Sequence, residues 1–216
     1  MASYTREVPL QSGKCALLVI DVQQYFAVPG RGYHANTDPS NIPDHEAYFF
    51  RGLATSTIPA IRTLLSAFRS KPGGEVVYTY VESLTKDGRD QSLDYKCTGL
   101  LVPRGSPGAK IIDELQPRPD EIMIPKTSSS VFNSTNIEYV LRNLGVSQLV
   151  MTGIITNQCV EGAVRDAADK GFLVTVVPDA CTANSQLDHD QSLKVMRGFA
   201  RICSVDELVR EIKEWP

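Results

Sequence analysis

The stretch QLVMTGI (Gln148–Ile154) runs into Ile155-Thr156-Asn157-Gln158-Cys159 and then into VEGAVRDAADKG, residues 160–171. The first seven residues are almost wholly apolar and of strand length. Beyond them, Val160, Ala163, Val164 and Ala167 recur at helical spacing, and Gly171 closes the pattern. A strand buried on both faces, a tight turn and an amphipathic helix are thus written in sequence.

The same alternation extends outward along the 216 residues. Strand-like runs fall at Cys15–Ile20 (CALLVI), Glu75–Val81 (EVVYTYV), Glu121–Ile124 (EIMI), Leu173–Val177 (LVTVV) and, more weakly, Ala200–Cys203. Between them lie helical stripes. Ile58, Ile61, Leu64, Leu65 and Phe68 form one. Ile137, Val140, Leu141 and Leu144 form another, opened by Thr135 with Glu138 and closed by Gly145. Ser204 and Glu207 make a capping-box signal ahead of Leu208 and Ile212. Strands that alternate with helices predict an α/β fold with a parallel sheet covered on both faces. No internal boundary is visible, so residues 1–216 read as one domain. Two connections, Val22 to His45 and Glu82 to Gly108, are too long for simple links and are expected to carry function.

Composition narrows the class. Hydrophobic residues make up 42% and charged residues 22%, with a formal charge of −3 and no clustered Lys or Arg. A nucleic-acid partner is therefore not expected. No apolar run reaches the ~20 residues of a membrane span, and the N-terminus shows no secretory signal pattern. Five dispersed cysteines form neither a disulfide framework nor a zinc knuckle. A soluble, cytoplasmic chain is the expectation, with most of its thiols acting as small hydrophobes.

In open α/β sheets, ligands bind beyond the carboxyl ends of the strands. There this sequence delivers Asp21 after CALLVI, Lys126 after EIMI-Pro125, and Cys159 after QLVMTGI. Each alone has an ordinary structural reading, as a turn residue, a solvated lysine or a buried thiol. Together they form a nucleophile, a base and a cation. A helix N-terminus and a nearby ammonium predict a depressed thiol pKa at Cys159. Asp21 is the candidate proton acceptor, and the Ile155 and Cys159 amides are candidate oxyanion donors.

Leu17–Phe26 (LLVIDVQQYF), Ile124–Phe132 (IPKTSSSVF) and Thr152–Asp166 (TGIITNQCVEGAVRD) resemble the three signature regions of the isochorismatase-like cysteine hydrolase superfamily. The resemblance runs from about Lys14 to Val209. It implies a Rossmann-like αβα sandwich with a central six-stranded parallel sheet, in a homo-oligomer that is a dimer or a tetramer. It also implies an Asp21–Lys126–Cys159 triad, a cis peptide between Ile154 and Ile155, and an oxyanion hole at Ile155 and Cys159. Cys159 favours covalent C–N hydrolysis over isochorismate-type ether cleavage. Nicotinamidases carry a metal-binding Asp-x-His after the second strand. This chain reads Val81-Glu82-Ser83 there, so no metal and no cofactor are expected. The branch resembled is that of N-carbamoylsarcosine, ureidoacrylate and biuret amidohydrolases, acting on a small-molecule amide or carbamoyl substrate. Gln23, Phe26, Glu82, Arg89, Tyr95 and Lys96 are candidate substrate-binding residues. A dinucleotide-binding oxidoreductase is disfavoured, because no G-x-G-x-x-G follows the first strand. A nicotinamide-type or ether-cleaving member and a non-catalytic binding member are the remaining alternatives.

Overall fold

The computed structural model describes residues 4–216. Six parallel strands form one sheet in the order β3-β2-β1-β4-β5-β6. They are β1 (Cys15–Ile20), β2 (Gly74–Val81), β3 (Ile122–Lys126), β4 (Gln148–Ile154), β5 (Leu173–Thr182) and β6 (Arg201–Ile202). The helices are α1 (Gln24–Ala27), α2 (Asp44–Gly52), α3 (Ile58–Ser70), α4 (Leu93–Thr98), α5 (Val131–Ser134), α6 (Ile137–Asn143), α7 (Glu161–Asp169), α8 (Gln186–Met196) and α9 (Val205–Lys213).

The pleat of β1 explains the two layers. Leu17 and Val19 pack on one face with Ile61, Leu64 and Phe68 of α3 and Leu208 and Ile212 of α9. Ala16, Leu18 and Ile20 face the opposite way, onto Ile137 and Leu141 of α6 and Ala163, Val164 and Ala167 of α7. Every β1 residue is buried, and each fully buried aliphatic side chain contributes about 1.5–3 kcal/mol. At α9 the capping box forms as expected: Ser204 accepts from Glu207 N, and the Glu207 carboxylate accepts from Ser204 N.

Two elements differ from expectation. β5 continues past Val177 to Thr182: Met151 pairs with Val176 and Gly153 with Cys181, so β5 bulges out the extra residues around Pro178-Asp179 and then resumes its pairing with β4. α8 buries His189, Ser192 and Met196 on its inner face. That mixed polar face leaves no apolar stripe to read.

Gly153 has one backbone requirement that decides the approach of β4 to β1. Its φ is +116°, and a Cβ there would lie 2.1 Å from Ile20 O. Only glycine lets the strands meet so closely at this point.

Candidate active site

The strand order reverses between β1 and β4, and that switch point is where a crevice opens beyond the strand ends. A pocket of about 530 Å³ lies there. Asp21 leaves β1 with φ +57°, in the left-handed region that few residues besides Gly, Asn and Asp enter. Its backbone N–H donates to Thr79 O at 3.0 Å, and Gln23 N–H donates back to Asp21 O at 2.8 Å. The Thr79 hydroxyl donates to Asp21 Oδ1 at 3.0 Å. Thr79 is a positioning partner that the sequence did not single out, although its place inside EVVYTYV, beside the end of β1, marked it. Asp21 Oδ2 lies 2.8 Å from Lys126 Nζ, and no other group satisfies it as a hydrogen-bond donor.

Lys126 ends β3 and is completely buried. Burial opposes its charge, but the Asp21 carboxylate, the Cys159 sulfur and Tyr95 outweigh it and hold the ammonium well above its usual range. Its Nζ also donates to Ser128 O and Ser129 O at 2.9 Å each, to Tyr95 Oη at 3.0 Å and to Cys159 Sγ at 3.4 Å. The loop after β3 therefore wraps its carbonyls around the cation.

Cys159 stands in a π-helical turn, Thr156–Val160, and α7 begins only at Glu161. Such turns recur at functional sites. The turn is clamped by α8. Thr156 Oγ1 and His189 Nδ1 are 2.8 Å apart, and Ser192 Oγ donates to Thr156 O at 3.1 Å. The preceding peptide, Ile154–Ile155, is cis. The expected depressed thiol is corrected: burial pushes Cys159 up to about 11, and the Asp21 carboxylate adds to this against the opposing pull of Lys126. The thiol rests protonated, beside the Asp21 carboxylate.

The site's parts are now placed: a thiol, a carboxylate and an ammonium at the floor of one crevice on a Rossmann-ordered sheet. The isochorismatase domain matches residues 15–207. The chain belongs to the isochorismatase family. It is 32% identical over 193 residues to a ureidoacrylate amidohydrolase of Rhizobium rhizogenes, covering 80% of this chain and 72% of that one. An N-carbamoylsarcosine amidase of Thermoplasma acidophilum superimposes with a TM-score of 0.68 at 25% identity, over 90% of this chain and 98% of the other. A cysteine hydrolase of Pseudomonas syringae pv. phaseolicola shares the fold, with a TM-score of 0.80 at 24% identity over 99% of each chain.

Around the pocket the candidate substrate-binding residues divide. Phe26 and Tyr95 line the pocket. Gln23 does not: it is fully buried, its amide donating to Val81 O at 3.0 Å and Gly108 O at 2.9 Å while its oxygen accepts from Val81 N. It staples the two long connections to β2. Glu82 turns away to accept from Gly105 N at 2.9 Å. Arg89 pairs with Asp87 on the surface, and the exposed Lys96 donates to Arg89 O. These four are corrected to scaffold and surface roles, because local backbone and ion-pair partners claim their polar groups.

The walls that sequence reading missed come from the first long connection and α2. Tyr33, His34 and Phe49 line the pocket, with the His34 ring stacked on Phe49 at 5.5 Å. His34 Nδ1 lies 3.0 Å from Glu46 Oε1, and Thr37 holds the other carboxylate oxygen. Asn157, Gln158, Asn184 and Arg165 supply a polar side. Among the described residues, no three His, Cys, Asp or Glu side chains gather to hold a metal ion. Among the described residues, no helix is long and apolar enough to cross a membrane.

Cys15, Cys181 and Cys203 are buried, as expected of structural thiols. Cys97 differs: it is exposed on α4.

Proposed function

We propose that this hydrolase cleaves the C–N bond of a small amide or N-carbamoyl compound through a covalent acyl-enzyme on Cys159. The observation that carries the reading is the meeting of Lys126 Nζ with Asp21 Oδ2 at 2.8 Å and with Cys159 Sγ at 3.4 Å at the pocket floor. The likeness to a ureidoacrylate amidohydrolase and to an N-carbamoylsarcosine amidase supports the carbamoyl or ureido class.

Cys159 Sγ attacks the substrate carbonyl carbon while its proton passes to the Asp21 carboxylate, whose Oδ2 is held 2.8 Å from the Lys126 ammonium. The Ile155 and Cys159 amides receive the carbonyl oxygen as it gains charge. Collapse breaks the C–N bond, and Asp21 returns the proton to the departing amine or ammonia. Asp21 then takes a proton from water, which attacks the thioester or thiocarbamate carbon; the C–S bond breaks to free the acid or carbamate, and Asp21 returns that proton to the departing Cys159 sulfur. Lys126 keeps its proton throughout and holds Asp21 in place, which is the role its raised pKa supports. Every step uses protein groups and water.

Ammonia release screened across N-carbamoyl compounds and primary amides, with Cys159→Ala as control, tests the reading. Release that depends on Cys159 is expected for at least one carbamoyl or ureido compound. Equal release by the variant overturns it. A homo-oligomer and a cytoplasmic location belong to the same reading and rest on family resemblance; light scattering on the purified chain tests the first.

A further inference from the structure

Lys126 Nζ has three protons and five neighbours within 3.4 Å: Asp21 Oδ2, Ser128 O, Ser129 O, Tyr95 Oη and Cys159 Sγ. Among the four oxygens, only Tyr95 Oη carries a hydrogen of its own. Because Oη accepts from the ammonium, its O–H must point elsewhere, and Cys159 Sγ lies 3.8 Å away. We propose that Tyr95 is a further catalytic residue, whose hydroxyl is aimed by Lys126 and donates a hydrogen bond to the Cys159 sulfur as that atom takes up charge. The proposal rests on the acyl-enzyme reading above and adds a member to it.

The hydroxyl is held rather than free to wander. The Tyr95 ring is buried with Val81, Val102 and Ala109 in a small cluster under the second long connection. Its backbone N–H donates to Ser92 Oγ, and its carbonyl accepts from Leu100 N and the Thr98 hydroxyl. Ser92 N–H in turn donates to Thr127 O, the residue after Lys126, at 2.9 Å. The helix that brings Tyr95 is thereby tied to the strand that brings the lysine. Ser129 Oγ also donates to the sulfur at 3.8 Å, but Ser129 is only half-buried, whereas the Tyr95 hydroxyl is buried and held by Lys126 as well. Burial raises the Tyr95 phenol far above its ordinary value, so the O–H persists as a donor across the working pH range.

The chemistry balances without proton transfer from Tyr95. The S–C bond forms, the thiol proton goes to Asp21 and then to the leaving amine, and the C–N bond breaks. Sulfur bears negative charge at attack and again when hydrolysis expels the thiolate. The Tyr95 hydrogen bond is strongest at those two moments, as charge-assisted bonds are.

Tyr95→Phe keeps the ring among its apolar neighbours and leaves Lys126 its other four partners, so the fold is retained; matching melting curves check this. In a Cys97→Ser background, the pH profile of Cys159 alkylation by iodoacetamide is measured beside steady-state kinetics. Expected are a profile displaced to higher pH and a kcat about tenfold to a hundredfold lower, with KM changed less than about threefold. An unchanged profile with unchanged kcat overturns the proposal. So does a rise in KM alone, which marks a substrate contact. If the wild type hydrolyses no amide, the functional reading fails, while the alkylation profile still decides the role of Tyr95.

Discussion

Asp21, Lys126 and Cys159 leave three strands of one sheet, whereas Phe26, Tyr33, His34 and Tyr95 hang from two long connections. The floor is positioned by register: Ile20 pairs with Thr79 and with Gly153, and Val81 pairs with Lys126. A residue at the end of such a strand has little freedom of place. The walls are positioned by particular side-chain bonds, such as the Gln23 amide and the Glu46 carboxylate, that join segments far apart in sequence. On the proposed reading, the contrast teaches that chemistry is carried by what the sheet dictates, and selectivity by what the loops negotiate among themselves.

The contrast can be broken at the floor first. Cys159→Ala removes the proposed nucleophile and is expected to lower kcat at least about 10⁴-fold, with the melting temperature retained; a variant that still turns over at wild-type rate refutes the floor's role. Asp21→Asn is expected to cost about 10²- to 10⁴-fold in turnover, the usual contribution of a positioned acid–base group. The same change should speed Cys159 alkylation at neutral pH. The carboxylate raises the thiol pKa and Lys126 lowers it, so losing the carboxylate alone lowers it. Slower turnover with faster alkylation is the expected signature; both falling together would mean the site has collapsed.

The sheet register itself is tested by Gly153→Ala. A Cβ 2.1 Å from Ile20 O, at φ +116°, is expected to cost about 3 kcal/mol or more of stability, read as a large drop in denaturant midpoint. At the walls, Phe49→Ala removes the face on which His34 stacks and is expected to raise KM several-fold while kcat falls less than about threefold. The smallest effect sharpens the contrast from outside: Arg89→Glu and Lys96→Glu should leave KM unchanged, because both side chains are exposed and bound locally. A large KM change there would place the second connection's surface in the site.

Legibility in the sequence follows the same division. β1 and β4 were read to the residue, because uninterrupted apolar runs admit few alternatives. Asp21, Lys126 and Cys159 could be chosen because strand ends in this fold share one edge. β5 was read short, since Pro178-Asp179 looks like a turn unless the bulge in β5 is known. Glu82, Arg89 and Lys96 were chosen for charge, yet charge in a loop does not say which partner claims it. Thr79 and His34 act through hydrogen bonds to Asp21 and Glu46; strand position alone hints at the first pair, and nothing in the local sequence marks the second.

The backbone of Asp21 restricts which amino acids this position can exchange for. At φ +57° an alanine or a glutamate meets a steric cost before any chemistry is considered, whereas asparagine is at ease there. Neighbouring sequence space is therefore lopsided. A single step to asparagine disarms the site while leaving the fold untroubled, and lengthening the carboxylate by one methylene disturbs the turn as well. An inactive but well-folded relative of this chain would be expected to carry asparagine at position 21.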